Sequence, residues 1–270
     1  MEKNNWIKKD IIGVDFSGSI KAGKTIWVAS GIGDNDDLKI LDCRRASDLD
    51  NSGPDRGKVL KALKHYVHRH SNAVIGFDFP FGLPEQLVED KNWEDFILTF
   101  AEKFSSPEQF RKHCFDSAGG RELKRQADIE CKAPFSPYNL RLFRQTYYGI
   151  RDLILPLVKY NQASMLPMQE GIEGKPWLIE ICPASFLKRE GYYISYKGRK
   201  IELYQARLKI IGFLERNKGL RFAGAGLREK VLNDCGGDAL DSIIAACCVM
   251  RASGKIPPPE EAGVEGFTFY

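Results

Sequence analysis

Two short apolar runs, each stopping at an aspartate, constrain the fold more than any other feature of the sequence. Ile11-Ile12-Gly13-Val14 ends at Asp15, and Ala73-Val74-Ile75-Gly76-Phe77 ends at Asp78. Runs of this length, apolar throughout and closed by turn residues, read as buried strands. Between them lie two further strand-like segments, 24–30 and 38–43, separated by Gly31-Ile32-Gly33-Asp34-Asn35. Three strands joined by short polar turns form an antiparallel meander. The stretch 54–70 then carries Val59, Leu63, Tyr66 and Val67 on one helical face. A strand–helix–strand crossover is right-handed, so the second apolar run is expected parallel to the first and beside it. Both aspartates then reach the same sheet edge, the edge at which ligands bind in open α/β sheets.

From 85 to 160 the character changes. Trp93, Phe96, Phe100 and Phe104 recur at helical spacing, Ser106-Pro107-Glu108-Gln109 has the form of a capping box, and Ala133-Pro134-Phe135-Ser136-Pro137 breaks the run. This segment is predicted to be a helical insertion, 85–160, within one domain spanning 1–270. Trp177-Leu178-Ile179-Glu180-Ile181 returns to strand character. Ile201, Tyr204, Leu208 and Ile211 mark another amphipathic helix, and 238–251 a last one, with Leu240, Ile243, Ile244, Cys247 and Cys248 apolar. The tail, 257–270, is predicted to be extended. The fold class is therefore α/β, a mixed five-stranded sheet flanked by helices.

Neighbouring strands lie about 4.8 Å apart, so Asp15 and Asp78 can share a cation. Glu180, near the end of the next strand, is a third candidate acid. Asp238 and Asp241 are three residues apart and share a helix face. Hard carboxylate ligands suit Mg²⁺ or Mn²⁺, which keep positions open for water and a substrate phosphate. Two such ions about 4 Å apart can activate water and stabilise the leaving oxygen of a phosphodiester. The competing structural role for the helix pair is capping: Asp238 as N-cap, with Asp241 in the first turn.

GVDFSGS (13–19), IGFDFPFGLP (75–84), IEICPASFLKREG (179–191) and GGDALDSIIAA (236–246) together resemble the domain-of-unknown-function family numbered 429. ELKRQAD (122–128) and RQTYYGI (144–150) extend the resemblance over nearly the whole chain. It implies a ribonuclease H-like fold and nuclease activity. The layout is also similar to Holliday-junction resolvases, where an acid on the first strand, an acid on the fourth and an Asp-x-x-Asp helix hold the metals. Carried onto matching positions, the resemblance implies Asp15, Asp78, Asp238 and Asp241 as metal ligands and catalytic acids, with Glu180 a further catalytic acid. Ribonuclease H enzymes themselves carry a catalytic Glu on the first helix, and 57–70 holds no carboxylate. The implied site belongs to the resolvase-like branch.

Charge distribution bears on the substrate. Forty Lys+Arg against 36 Asp+Glu leave a net charge of +4, yet 188–221 alone has ten Lys/Arg against three Glu, a local net of +7. Lys188 and Arg189 there, and Arg125 in the insertion, are the substrate-binding candidates. Arg111, Lys112, Arg121, Lys124, Lys132, Arg141 and Arg144 are further possible phosphate contacts. Tyr147, Tyr148, Tyr192, Tyr193 and Tyr196 are candidates to stack on unpaired bases; a solvated helix face with core tyrosines is the competing assignment.

The expected function is a metal-dependent hydrolase, a nuclease cleaving phosphodiester bonds of DNA or RNA. One alternative is an ATP-dependent phosphotransferase of the actin and sugar-kinase type, in which Asp15 and Ser17-Gly18-Ser19 grip phosphate; another is a non-catalytic nucleic-acid-binding module. Seven cysteines with no Cys-x-x-Cys pair argue against a zinc site. The polar start MEKNNWIKKD, and the lack of any apolar stretch near the ~18 residues of a membrane span, lead to the expectation of a cytoplasmic protein without a membrane partner.

Overall fold

A computed structural model describes residues 9–34 and 37–270. The polar start at 1–8 and Asn35 of the first predicted turn lie outside the described residues. Strand β1 (Asp10–Asp15) pairs antiparallel with β2 (Trp27–Asp34), and β2 pairs antiparallel with β3 (Asp37–Arg45). The β1–β2 connection holds one helical turn, α1 (Ala22–Thr25). After α2 (Arg56–Arg69), β4 (Ala73–Phe77) returns parallel to β1 with Val14 opposite Phe77. Two strands follow later in the chain, β5 (Ser164–Leu166) and β6 (Trp177–Ile181), and β6 pairs parallel with β4. The order β3-β2-β1-β4-β6 is the mixed α/β sheet predicted, flanked by helices. Short strands lengthen it at both edges: β5 and β8 (Thr268–Phe269) along β6, and β7 (Leu220–Phe222) along β3.

Between β4 and β5 lie helices α3 (Trp93–Lys103), α4 (Pro107–Ser117), α5 (Gln126–Glu130), α6 (Phe143–Gly149) and α7 (Leu155–Lys159). Their starts follow local chemistry. Ser106 Oγ accepts from the Gln109 amide at 3.1 Å, Pro107 opens the first turn of α4, and Gln109 Oε1 accepts from Ser105 N at 2.9 Å. After β6 come α8 (Pro183–Arg189), α9 (Ile201–Asn217), α10 (Ala225–Asn233), α11 (Asp238–Ala252) and α12 (Pro259–Ala262).

Side chains of the central strands alternate between two cores, as the period of two requires. Ile12, Val14, Ile75, Phe77 and Leu178 pack with α2 and the α3–α7 helices, whereas Ile11, Val74, Ile179 and Ile181 pack with α8 to α11. Helix α11 sits closest to the sheet, and two glycines explain why. Gly13 and Gly76 are register partners. A Cβ at Gly13 would lie 2.2 Å from Ala246 N and 2.3 Å from Ser242 O, and one at Gly76 2.5 Å from Val249 Cγ2. A Gly13→Ala substitution is therefore expected to push α11 off the sheet and cost about 3 kcal/mol through overpacking. A lowered urea midpoint with unchanged slope would register it.

Two local expectations change. The predicted turn at 31–35 is largely strand: β2 runs to Asp34, and the register shifts between Ser30 and Gly31. Gly31 serves that bulge, since a Cβ there would meet Lys39 O at 2.4 Å. The tail forms α12 and then docks as β8 on β6, with Cys182 N donating to Phe269 O at 3.2 Å. All seven cysteines are free thiols, with Cys247 and Cys248 buried in α11. Among the described residues no helix is long and apolar enough to cross a membrane.

Candidate metal centre

The parity of the sheet selects which acids meet. Residues 11, 13 and 15 of β1 face α11, and so do 74, 76 and 78, because Asp78 continues the register with its amide donating to Val14 O at 3.1 Å. Asp15 is the last residue of β1 and only 9% exposed. The close approach of α11 brings its first turn over that strand end. One carboxylate oxygen each from Asp15, Asp238 and Asp241 then lie within 4.8 Å of one another. Asp78 stands beside this trio, half-buried, on the wall of a cavity it shares with Asp241.

Capping does not account for the helix pair. Gly237 is the N-cap, in the left-handed region at φ 78°, and offers no side chain. The capping bond comes from Asp234, whose Oδ2 accepts from Ala239 N at 3.0 Å. Asp238 and Asp241 are thereby free to face Asp15.

The cluster is electrostatically strained. Burial raises the Asp15 carboxyl well above its ordinary value, and Asp241, then Asp238, push the same way against the pull of Lys197. Burial, then Asp241, push Asp78 up to about 8. Burial also raises Asp238, opposed by Lys197. Buried like charges at this spacing call for a cation.

Part of that cation is supplied by a lysine whose role the sequence did not reveal. Lys197 Nζ lies 2.6 Å from Asp241 Oδ2 and 3.2 Å from Asp238 Oδ1. Tyr196 donates its hydroxyl to the other Asp241 oxygen. In the sequence Lys197 is one member of a basic stretch, and nothing in its spacing separates it from its neighbours. The ammonium meets part of the charge of Asp238 and Asp241, and the three carboxylates together offer a set of hard oxygen ligands that could hold a divalent cation.

Glu180 and Arg125 are not part of this constellation. Glu180 is opposite Phe77 in the register and so points to the other face of the sheet from Asp15 and Asp78. There it is 3% exposed and accepts from Arg125 Nη1 (2.8 Å) and Nη2 (2.5 Å), Phe81 N (2.6 Å) and Thr268 Oγ1 (2.6 Å). Arg125 is fully buried and also donates to Asp128 from Nε and Nη2. A guanidinium so enclosed has no donor left for a substrate phosphate, which corrects its assignment as a substrate contact. Lys188 Nζ donates to Lys132 O and lies 5.0 Å over the ring of Tyr193. Arg189 turns the other way, 4.6 Å over the ring of Tyr270.

The Ser17-Gly18-Ser19 loop does not form an open phosphate grip. Gly18 is buried against α6, where a Cβ would meet the Arg144 carbonyl carbon at 2.4 Å, and its own carbonyl accepts from Arg56 Nη1 at 3.0 Å.

No protein-family model and no curated protein matches the chain. Among solved structures, the crystal structure of the yeast mitochondrial Holliday junction resolvase Ydc2 aligns with 90% of this chain and 81% of its own, at a TM-score of 0.43 and 12% sequence identity.

Proposed function

We propose that this protein is a metal-dependent nuclease that hydrolyses phosphodiester bonds of DNA or RNA. The observation that carries the reading is the convergence of Asp15, Asp238 and Asp241 from two distant segments, with Asp78 alongside. Asp15, Asp238 and Asp241 would hold Mg²⁺ or Mn²⁺, which when bound supplies Lewis-acid activation of water and neutralises phosphate charge. Asp78, outside the trio and on the same cavity as Asp241, would take a proton from the attacking water. Lys197, half exposed on a flexible stem beside Asp238 and Asp241, would contact the substrate phosphate. Arg141 and Lys188, whose cations lie over the rings of Phe135 and Tyr193 beside the cavity, would supply further positive charge for the strand. The testing experiment incubates the protein with single-stranded, duplex and branched DNA and with RNA, in Mg²⁺, Mn²⁺ or EDTA. Metal-dependent cleavage supports the reading; its absence from folded protein on every substrate rejects it.

If Lys197 occupies the place of a cation, it competes with one. A Lys197→Met variant is expected to bind Mn²⁺ roughly tenfold more tightly in a calorimetric titration, a difference of about 1.4 kcal/mol. Weaker binding would mean that the ammonium supports the site instead.

The raised carboxyls also set a pH dependence. Asp78 binds its proton more tightly folded (about 8) than unfolded (3.8), so between those values the folded state holds more protons. Stability then falls as pH rises through this window. Metal binding requires the deprotonated carboxylates, so its affinity runs the other way and increases with pH. Melting curves in EDTA at pH 5 and pH 8, repeated with Mn²⁺, are expected to show the metal-free protein melting lower at pH 8 and gaining most from Mn²⁺ there.

A further inference from the structure

A cavity of about 450 Å³ opens beside the carboxylates, with Asp78, Asp241 and Lys197 on its lining. Phe135 and Tyr193 also line it, next to Pro134 and Pro183. Tyr193 is 54% exposed, a large ring left in solvent at the mouth of a site. Each ring has a cation at its face. The Arg141 guanidinium lies 5.4 Å from the Phe135 centroid, and the Lys188 ammonium 5.0 Å from that of Tyr193.

The segment carrying Tyr193 has no regular secondary structure from 193 to 197, yet it is not loose. It runs between Gly191 and Gly198, both at positive φ (74° and 137°). Behind it the buried Arg207 donates to Tyr196 O at 2.6 Å and Gly198 O at 3.1 Å. The part of the cavity wall at 196–198 is therefore held in place before any ligand arrives, which lowers the ordering cost of binding.

Flat aromatic and proline surfaces, cations over the rings and a metal-type site on the inner wall suit a planar ring carried on a phosphate backbone. A base within a duplex is stacked and paired, and must leave the helix to enter such a hollow. We infer that this cavity binds one unpaired nucleobase of the substrate strand. Building on the nuclease reading for the chemistry that follows, the cavity makes an unpaired nucleotide at the cleavage point the feature the protein selects.

The test uses oligonucleotides bearing a single 2-aminopurine, whose fluorescence falls on stacking. They are presented unpaired in a gap, in a single strand and in continuous duplex, as DNA and as RNA, with Ca²⁺ present. The expected result is quenching and binding with the unpaired forms. Binding should weaken about tenfold in Tyr193→Ala and again in Phe135→Ala, while Tyr193→Phe retains it. Equal binding of gapped and continuous duplex, or unchanged quenching after removal of both rings, overturns the inference. Cleavage in Mn²⁺ is read separately. Quenching without cleavage keeps the base pocket and removes the nuclease, whereas cleavage without quenching removes the pocket and keeps the nuclease.

Discussion

An Asp15→Asn variant is expected to fold, to melt higher than the wild type in EDTA, and to lose about a thousandfold or more of metal-dependent cleavage. The two effects have one cause. Asp15 is held by the sheet within reach of Asp238 and Asp241, so without a metal its charge meets burial and like charges, opposed mainly by Lys197. Asparagine keeps the shape and removes the repulsion. With Mn²⁺ the order reverses, because the wild type gains a bound cation and the variant has lost a ligand. Parallel melting curves with and without Mn²⁺, alongside cleavage rates, check both halves. Retention of more than about a tenth of the activity would remove Asp15 from the reacting centre.

The second large effect is on stability. Arg125→Met is expected to destabilise the protein by about 3–5 kcal/mol, since it leaves two buried carboxylates, Glu180 and Asp128, without their cation. For a chain of this size that lowers the melting temperature by roughly 10 °C. The network joins α5, β6, the loop after β4 and the C-terminal strand through Thr268, so its loss is expected to release the tail as well. Neutralising both acids in the same variant, Glu180→Gln with Asp128→Asn, should recover part of the loss. A fully stable Arg125→Met that binds nucleic acid less tightly would instead return Arg125 to the substrate surface.

The contrast between Glu180 and Asp78 shows how far strand patterns can be read. Both acids stand at the end of an apolar run, and sequence alone places both at the same edge. The register differs by one residue, however: Glu180 is opposite Phe77, not Asp78. One residue of register moves a side chain to the other face. Similarly, Asp238 after a glycine reads equally well as a cap or a ligand. The bond from Asp234 to Ala239 N decides the matter, and it depends on the turn geometry before α11.

What the sequence by itself determined is the order of the five central strands, the adjacency of the β1 and β4 ends, and the amphipathic faces of the main helices. These follow from side-chain period and from the handedness of the crossover, both local rules. Only the tertiary structure decided which charges meet. Asp15 and Asp241 are brought together by the missing side chains of Gly13 and Gly76, which admit the α11 backbone to the sheet. Lys197 reaches the same point because Arg207 pins the backbone of its two neighbours. Arg125 and Glu180 pair across 55 residues within a shared low-dielectric interior. Such pairings depend on packing distances between segments far apart in the chain, which hydrophobic periodicity does not encode.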